Sequence, residues 1–394
     1  MGPGGLKQST KKLILKSINL IPVSSLTLGS PRRISSAENI ANNDKTAEII
    51  NITGPHAIKE APPGTIDEKV FFKFRQLYNR VQPASYIVKL KNARVWGNNG
   101  AIITSNDTLV SDVSKEFGAA KFDPSKHSVF NKIRLSKPLK FHGSVAVAAS
   151  PGSNVFAHWI CDIIPRLILL KKSNLIEKVD NIIINYKKSD FQLETFDKLG
   201  IPEDKILNCA ENPDFHLAAE TVYAPSYPNE HGTVNQWVCR EVNDLFKPGI
   251  ANAASGKGTR LYISRSNAVG RKIINEEELV SFLEQYGFEK IYGENYSIAE
   301  KIDLFGNAGC IIGPHGGGLT NIIFCRAGCS VVDIFPPGDF DTFFWSISNS
   351  NQLPYYYFFG EGEMPTEEND FSRRNADISI NLEKFKALMK LLNL

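Results

Sequence analysis

Between residues 260 and 334 the chain alternates short apolar runs with helix-length segments, and that rhythm limits the folds open to it. The runs lie at 260–264, 288–292, 310–312 and 330–334, and the stretches at 276–286 and 298–308 separate the first three. Asn275 and Glu278, and again Ser297 and Glu300, have the spacing of a capping box, which predicts where each helix begins. Repeats of this kind fold as a parallel sheet with helices on both faces, because right-handed crossovers carry each helix over the sheet. Ligands of such sheets bind at the carboxyl ends of the strands.

One of those ends is rich in glycine. Gly313-Pro314-His315-Gly316-Gly317-Gly318-Leu319-Thr320-Asn321 follows the run 310–312, and residues 319–326 are long enough for a short helix. A glycine-rich loop entering a helix directs free backbone N–H groups and a positive helix end at whatever lies above it, and phosphate is the usual guest. His315 adds a donor at the mouth of the loop. A tight turn with no ligand explains the same glycines. The dinucleotide pattern fits poorly, because Asn321 stands where its last glycine belongs and Asp333 follows too soon. Arg265 and Arg271 flank a second strand end, where guanidinium forks suit phosphate oxygens; arginines beside a surface turn are the alternative. Asp333 either accepts ribose hydroxyls or caps its strand.

Upstream, residues 1–80 read as irregular. Residues 81–247 read as an α/β domain with a β-rich N-terminal part, whose strands are expected at 86–90, 93–96, 101–104 and 109–110. Further strands are expected at 144–148, 181–185, 205–208 and 221–224, and helices at 155–171 and 191–199. Residues 248–259 read as a linker, so that 248–394 form a C-terminal Rossmann-like domain. Within 155–171, His158 and Asp162 are four apart and share one face of an otherwise apolar helix. Pro165 removes the hydrogen bond to Cys161 and predicts a kink beside Asp162. A buried carboxylate needs a partner or a purpose; the pair either does chemistry or supports packing.

Composition excludes several classes. A net charge of +3 does not make a nucleic-acid-coating surface. No apolar run reaches the ~20 residues of a membrane span, and Leu13 to Leu28 is too interrupted for a signal sequence. Lys7, Lys11, Lys12, Lys16, Arg32 and Arg33 face only Glu38 in the first forty residues, which suits either peripheral contact with an anionic membrane or a solvated tail. Six scattered cysteines without a C-x-x-C pair point to a reducing compartment. No P-loop, H-E-x-x-H or G-x-S-x-G is present. Asp339 and Asp341 have the D-x-D spacing of metal-dependent sugar transferases, and equally that of a solvated turn.

Taken in order, His158-x-x-x-Asp162 with Pro165-Arg166-Leu167, then Ser264-Arg265 with Arg271 and Asn275-Glu276, then Gly313 through Asn321 with Val332-Asp333, resemble glycosyltransferase family 61 over residues 85–340. The resemblance implies a GT-B type fold, two Rossmann-like domains facing a cleft, and inverting transfer from a nucleotide-sugar donor to a glycan or glycolipid acceptor. It implies no metal and no other cofactor. Donor binding falls to Arg265, Arg271, His315, Gly316, Gly317, Gly318, Asn321 and Asp333, and base catalysis to Asp162 or His158. Asp333 departs from the family, which usually has glutamate there. The expected role is assembly of surface polysaccharide (capsule, exopolysaccharide or lipopolysaccharide) in the cytoplasm or at the inner membrane face. A non-catalytic glycan-binding or scaffold protein that kept the fold is the alternative.

Overall fold

The computed structural model describes residues 30–117, 123–230, 232–247, 258–363 and 373–394. Lys7, Lys11, Lys12 and Lys16, and nearly all of the expected linker, lie outside them. The chain divides into two compact units, Met1–Gly54 with Ala84–Tyr227, and Pro55–Pro83 with Pro228–Leu394. Both are α/β.

The first unit is built on a nine-stranded sheet. Its parallel part runs His216–Pro225, Leu139–Val147, Asn181–Ile184 and Ile206–Asn208. Its antiparallel part adds Ser85–Trp96, Ala101–Ile103, Thr108–Val110 and Ala47–Thr53. Ser85–Trp96 is one twelve-residue strand where the sequence predicts two. Asn92, which looks like a break, instead takes a positive φ of 53° within the strand, a conformation asparagine tolerates. Residues expected to be irregular contain the strand Arg33–Ser35, the helix Ala37–Asn43 and the strand Ala47–Thr53. These elements are short and only half-buried, so their apolar periodicity is faint. The helix Asp190–Leu199 starts on a Ser189/Gln192 capping box and stops at Gly200, at φ 71°.

The second unit has a five-stranded, all-parallel sheet in the order Phe288–Ile291, Thr259–Ile263, Ala308–Pro314, Ser330–Phe335, Tyr355–Phe359. By sequence that order is second, first, third, fourth, fifth. It reverses between Thr259–Ile263 and Ala308–Pro314, and such a switch point opens a crevice at the strands' carboxyl ends. The Ser297/Glu300 capping box is present as expected. Asn275 does not cap its helix. Its amide instead pairs with the backbone of Ile380, donating to the carbonyl at 2.9 Å and accepting from the N–H at 3.0 Å.

Residues 55–83 are stitched into this second unit. Gly64 exchanges hydrogen bonds with Tyr355 and Tyr357 along the sheet edge. The Phe71 N–H donates to the Tyr357 hydroxyl at 2.9 Å, and Phe74 packs its ring on Phe340, Trp345 and Tyr357. Glu60, buried, receives a two-pronged bond from Arg80 at 2.6 and 2.9 Å. No helix among the described residues is long and apolar enough to cross a membrane.

Candidate active site

At the switch point of the second unit, the loop after Ala308–Pro314 meets Arg265, two residues beyond Thr259–Ile263. The helix expected at 319–326 is a 3-10 run, Gly317–Phe324. Its first hydrogen bond is from the Leu319 N–H to the Gly316 carbonyl, so the N–H groups of Gly316, Gly317 and Gly318 precede the bonded ladder. Gly316 is extended rather than left-handed, and what requires glycine there is the Arg265 guanidinium lying across it. Gly318 is packed on the Ile263 side chain, 2.9 Å from where its Cβ would stand.

Three guanidinium groups crowd this end of the sheet. Arg265 donates to the Gly270 carbonyl at 3.2 Å, but its buried Nε has no partner. Burial, and then the charge of Arg271, lower its pKa to about 10. Arg271 is held at φ 59°, with its N–H on the Asn375 carbonyl, and its buried Nε is also without a partner. Burial and then repulsion from Arg374 lower its pKa. Such groups are costly to bury together without an anion. Nearby, the side chain of Asn321 donates to the Gly318 carbonyl at 2.9 Å, while its Oδ1 and the Thr320 hydroxyl stay buried and unmatched.

His315 is fixed from behind. Its Nδ1 lies 3.0 Å from an Asp333 oxygen, which also receives the Tyr355 hydroxyl at 2.8 Å. The ring stacks on Phe335 with centroids 4.7 Å apart. Such a pairing holds the imidazole orientation and leaves Nε2 facing away from the carboxylate. Asp333 is fully buried, with the His315 ring and the Tyr355 hydroxyl on its carboxylate. Burial and Asp333 keep the Tyr355 phenol far above its ordinary range.

Asp339 is buried, and Asp341 accepts the Phe343 N–H at 2.8 Å at the start of the helix Phe343–Ser350. Both carboxylates act on Lys73, whose pKa burial lowers and they raise. Among the described residues no cluster of metal-ligating side chains occurs.

In the first unit, the helix beginning Phe156–His158 widens into a π-helical turn, Trp159–Ile163, before Ile164–Lys172 resumes the α form. The kink expected from Pro165 is thus this turn, where the Ile164 N–H reaches back to the Trp159 carbonyl. His158 Nδ1 and Asp162 Oδ2 are 2.8 Å apart, with the imidazole the more exposed, 32% against 18%. Gly152 and Phe117 pack on the imidazole. Arg166 is fully buried and donates to the carbonyls of Val147, Ala149 and Pro225 at 3.0, 2.7 and 3.2 Å. It ties the ends of two strands beside the turn and so positions the His158–Asp162 pair. Arg374, Lys73, Tyr355 and Phe117 have no motif spacing and were not legible beforehand.

Residues 156–332 match the family model for glycosyltransferase 61. That stretch of the chain is similar to a glycosyltransferase 61 domain. The match begins just before His158 and ends just before Asp333, so it takes in the π turn, both arginines and the glycine loop. A rice protein (Oryza sativa subsp. japonica) described as the beta-1,2-xylosyltransferase XAX1 is 27% identical over an alignment of 270 residues that covers 61% of this chain and 47% of that one. The chain thus spans about half the length of the curated relative it matches.

Proposed function

We propose that this protein is an inverting glycosyltransferase that passes a sugar from a nucleoside-diphosphate donor to a glycan hydroxyl. The observation that carries the reading is the group of Arg265, Arg271 and Arg374 at the switch point, with two buried Nε–H groups lacking acceptors. A diphosphate supplies acceptors and charge together. As the bond between the anomeric carbon and the diphosphate breaks, these guanidinium groups, His315 and the glycine-loop N–H groups stabilise the leaving anion, a role that in many enzymes is the largest catalytic contribution. Asp333 acts through His315 by holding its orientation. In this reading no metal is needed, and the fold is of the GT-B type.

The acceptor hydroxyl attacks the anomeric carbon from the opposite face and loses its proton to the His158–Asp162 pair. With Nδ1–H on Asp162, Nε2 of His158 is the free basic atom, and its greater exposure favours the imidazole as base with Asp162 holding it. The xylosyltransferase name of the rice relative makes a pentose the first sugar to try. The acceptor is taken to be a growing polysaccharide of the cell surface, reached in the cytoplasm or at the inner membrane face.

The test is calorimetry with nucleoside diphosphates, followed by transfer assays with the corresponding nucleotide sugars. Binding that weakens about tenfold or more in Arg265→Ala and His315→Ala is expected. Unchanged affinity in both would remove the glycine loop from the donor site. Donor binding without hydrolysis or transfer would favour the non-catalytic alternative.

A further inference from the structure

The first unit holds a cavity of about 190 Å³, lined by Trp96, Asn98, Asn99, Glu116, His127 and Lys132 among others. His127 is buried, and its Nδ1 accepts the Val129 N–H at 3.1 Å. A neutral imidazole that accepts at Nδ1 carries its proton on Nε2, and burial lowers the pKa, which favours that neutral form. Yet Nε2 has no hydrogen-bond partner. Glu116 comes only to 3.7 Å, and its two oxygens are engaged by the Ser128 N–H at 2.7 Å and the Ser128 hydroxyl at 2.6 Å. A residue of the cavity wall therefore carries a buried donor with no hydrogen-bond partner.

The lining says what would. A carboxylate beside a lysine disfavours a free anion or cation. Two half-buried amides, a hydroxyl, an imidazole donor and an indole are the mixture that suits the alternating hydroxyls and C–H faces of a sugar ring. The volume falls below the ~300–1,000 Å³ of sites for larger ligands, so a single ring fits better than a nucleotide. Position supplies the link to the reaction. Glu116 lines the cavity, and its neighbour Phe117 packs on the His158 ring with centroids 4.9 Å apart.

We infer that this cavity is a sugar subsite, which takes one neutral pyranose ring of the acceptor glycan and so delivers a neighbouring hydroxyl to His158. The acceptor role rests on the transferase reading; the ability to hold a sugar does not.

The test uses the full chain and a panel of simple methyl glycosides, with xyloside, glucoside, galactoside and mannoside, followed by saturation-transfer NMR and titration. At least one should bind, and His127→Phe and Asn99→Ala should each weaken it by tenfold or more while nucleoside diphosphate affinity stays unchanged. Lys132→Ala, at the half-exposed rim, gives a further variant with little risk to folding, and thermal melts confirm that each variant is native. No glycoside binding, or binding indifferent to all three substitutions, overturns the subsite. If diphosphates bind while glycosides do not, the subsite fails alone. If glycosides bind through this cavity and no diphosphate binds, the subsite stands and the transferase reading fails.

Discussion

Arg265 and Gly316 share one volume: a Cβ on Gly316 would stand 2.6 Å from the Cζ of the Arg265 guanidinium. The two residues lie on neighbouring parallel strands' outgoing loops, so the side chain of one loop roofs the backbone of the other.

Gly316→Ala should therefore behave like a weakened Arg265→Ala. The methyl group has to displace the guanidinium, and a charged hydrogen bond to a diphosphate is worth ~1.5–3 kcal/mol, or roughly tenfold to a hundredfold in affinity. Gly317→Ala is the control, since nothing lies within 4 Å of its added Cβ. Calorimetry that finds the two variants equally affected would separate Arg265 from the donor.

For the base, Asp162→Asn and His158→Ala should each lower turnover by about 10²–10⁴-fold with donor affinity preserved. Free imidazole should restore part of the turnover of His158→Ala and do nothing for Asp162→Asn. Rescue of Asp162→Ala by formate, with His158→Ala indifferent to imidazole, would move the base to the carboxylate. Native melting with full turnover in both variants would make the pair structural.

Turnover should survive excess EDTA. Asp341 already accepts a helix N–H, and it and Asp339 lie in the fields of Lys73 and Arg271, so these carboxylates are balanced without an ion. Loss of activity that manganese restores would assign the D-x-D pair to metal.

Stability should fall on mild acidification through His216. This buried imidazole donates from Nδ1 to the Ser136 carbonyl at 2.5 Å and meets Arg94 at 3.3 Å through Nε2. Burial holds its pKa down at about 4, with the Arg94 charge acting in the same direction. The unfolded chain, with an ordinary pKa near 6.5, then binds the proton first as pH drops, so stability present above pH ~6.5 is lost progressively down to about pH 4. The share lost between pH 6.5 and 5 is about 2 kcal/mol. Urea unfolding of His216→Gln should show a flatter pH dependence over that range; an equal slope would place the effect elsewhere.

The parallel sheet of the second unit was legible because its strands are continuous apolar runs separated by capped helices, as at Ser297/Glu300. The π turn was legible as a kink, since Pro165 lacks an N–H, although not as a π turn. Asn275 was misread because a capping box is local, whereas Ile380 is 105 residues away. Arg374 and Tyr355 were invisible for the same reason: each reaches the site by tertiary packing. The depth of Asp333 could not be foretold, because a carboxylate at a strand end reads alike whether it faces solvent or a histidine.

The strap at residues 55–83 means that neither unit is a continuous stretch of chain. On the ribosome, where synthesis runs at about 5–20 residues per second, this strap emerges well before the strand Tyr355–Phe359 that Gly64 borders. For that interval Phe71 and Phe74 have no rings to pack against from the 340s and 350s. The second unit must wait for its C-terminal half to gather a piece made long before. A fragment starting after residue 83 would lack a part of its own core.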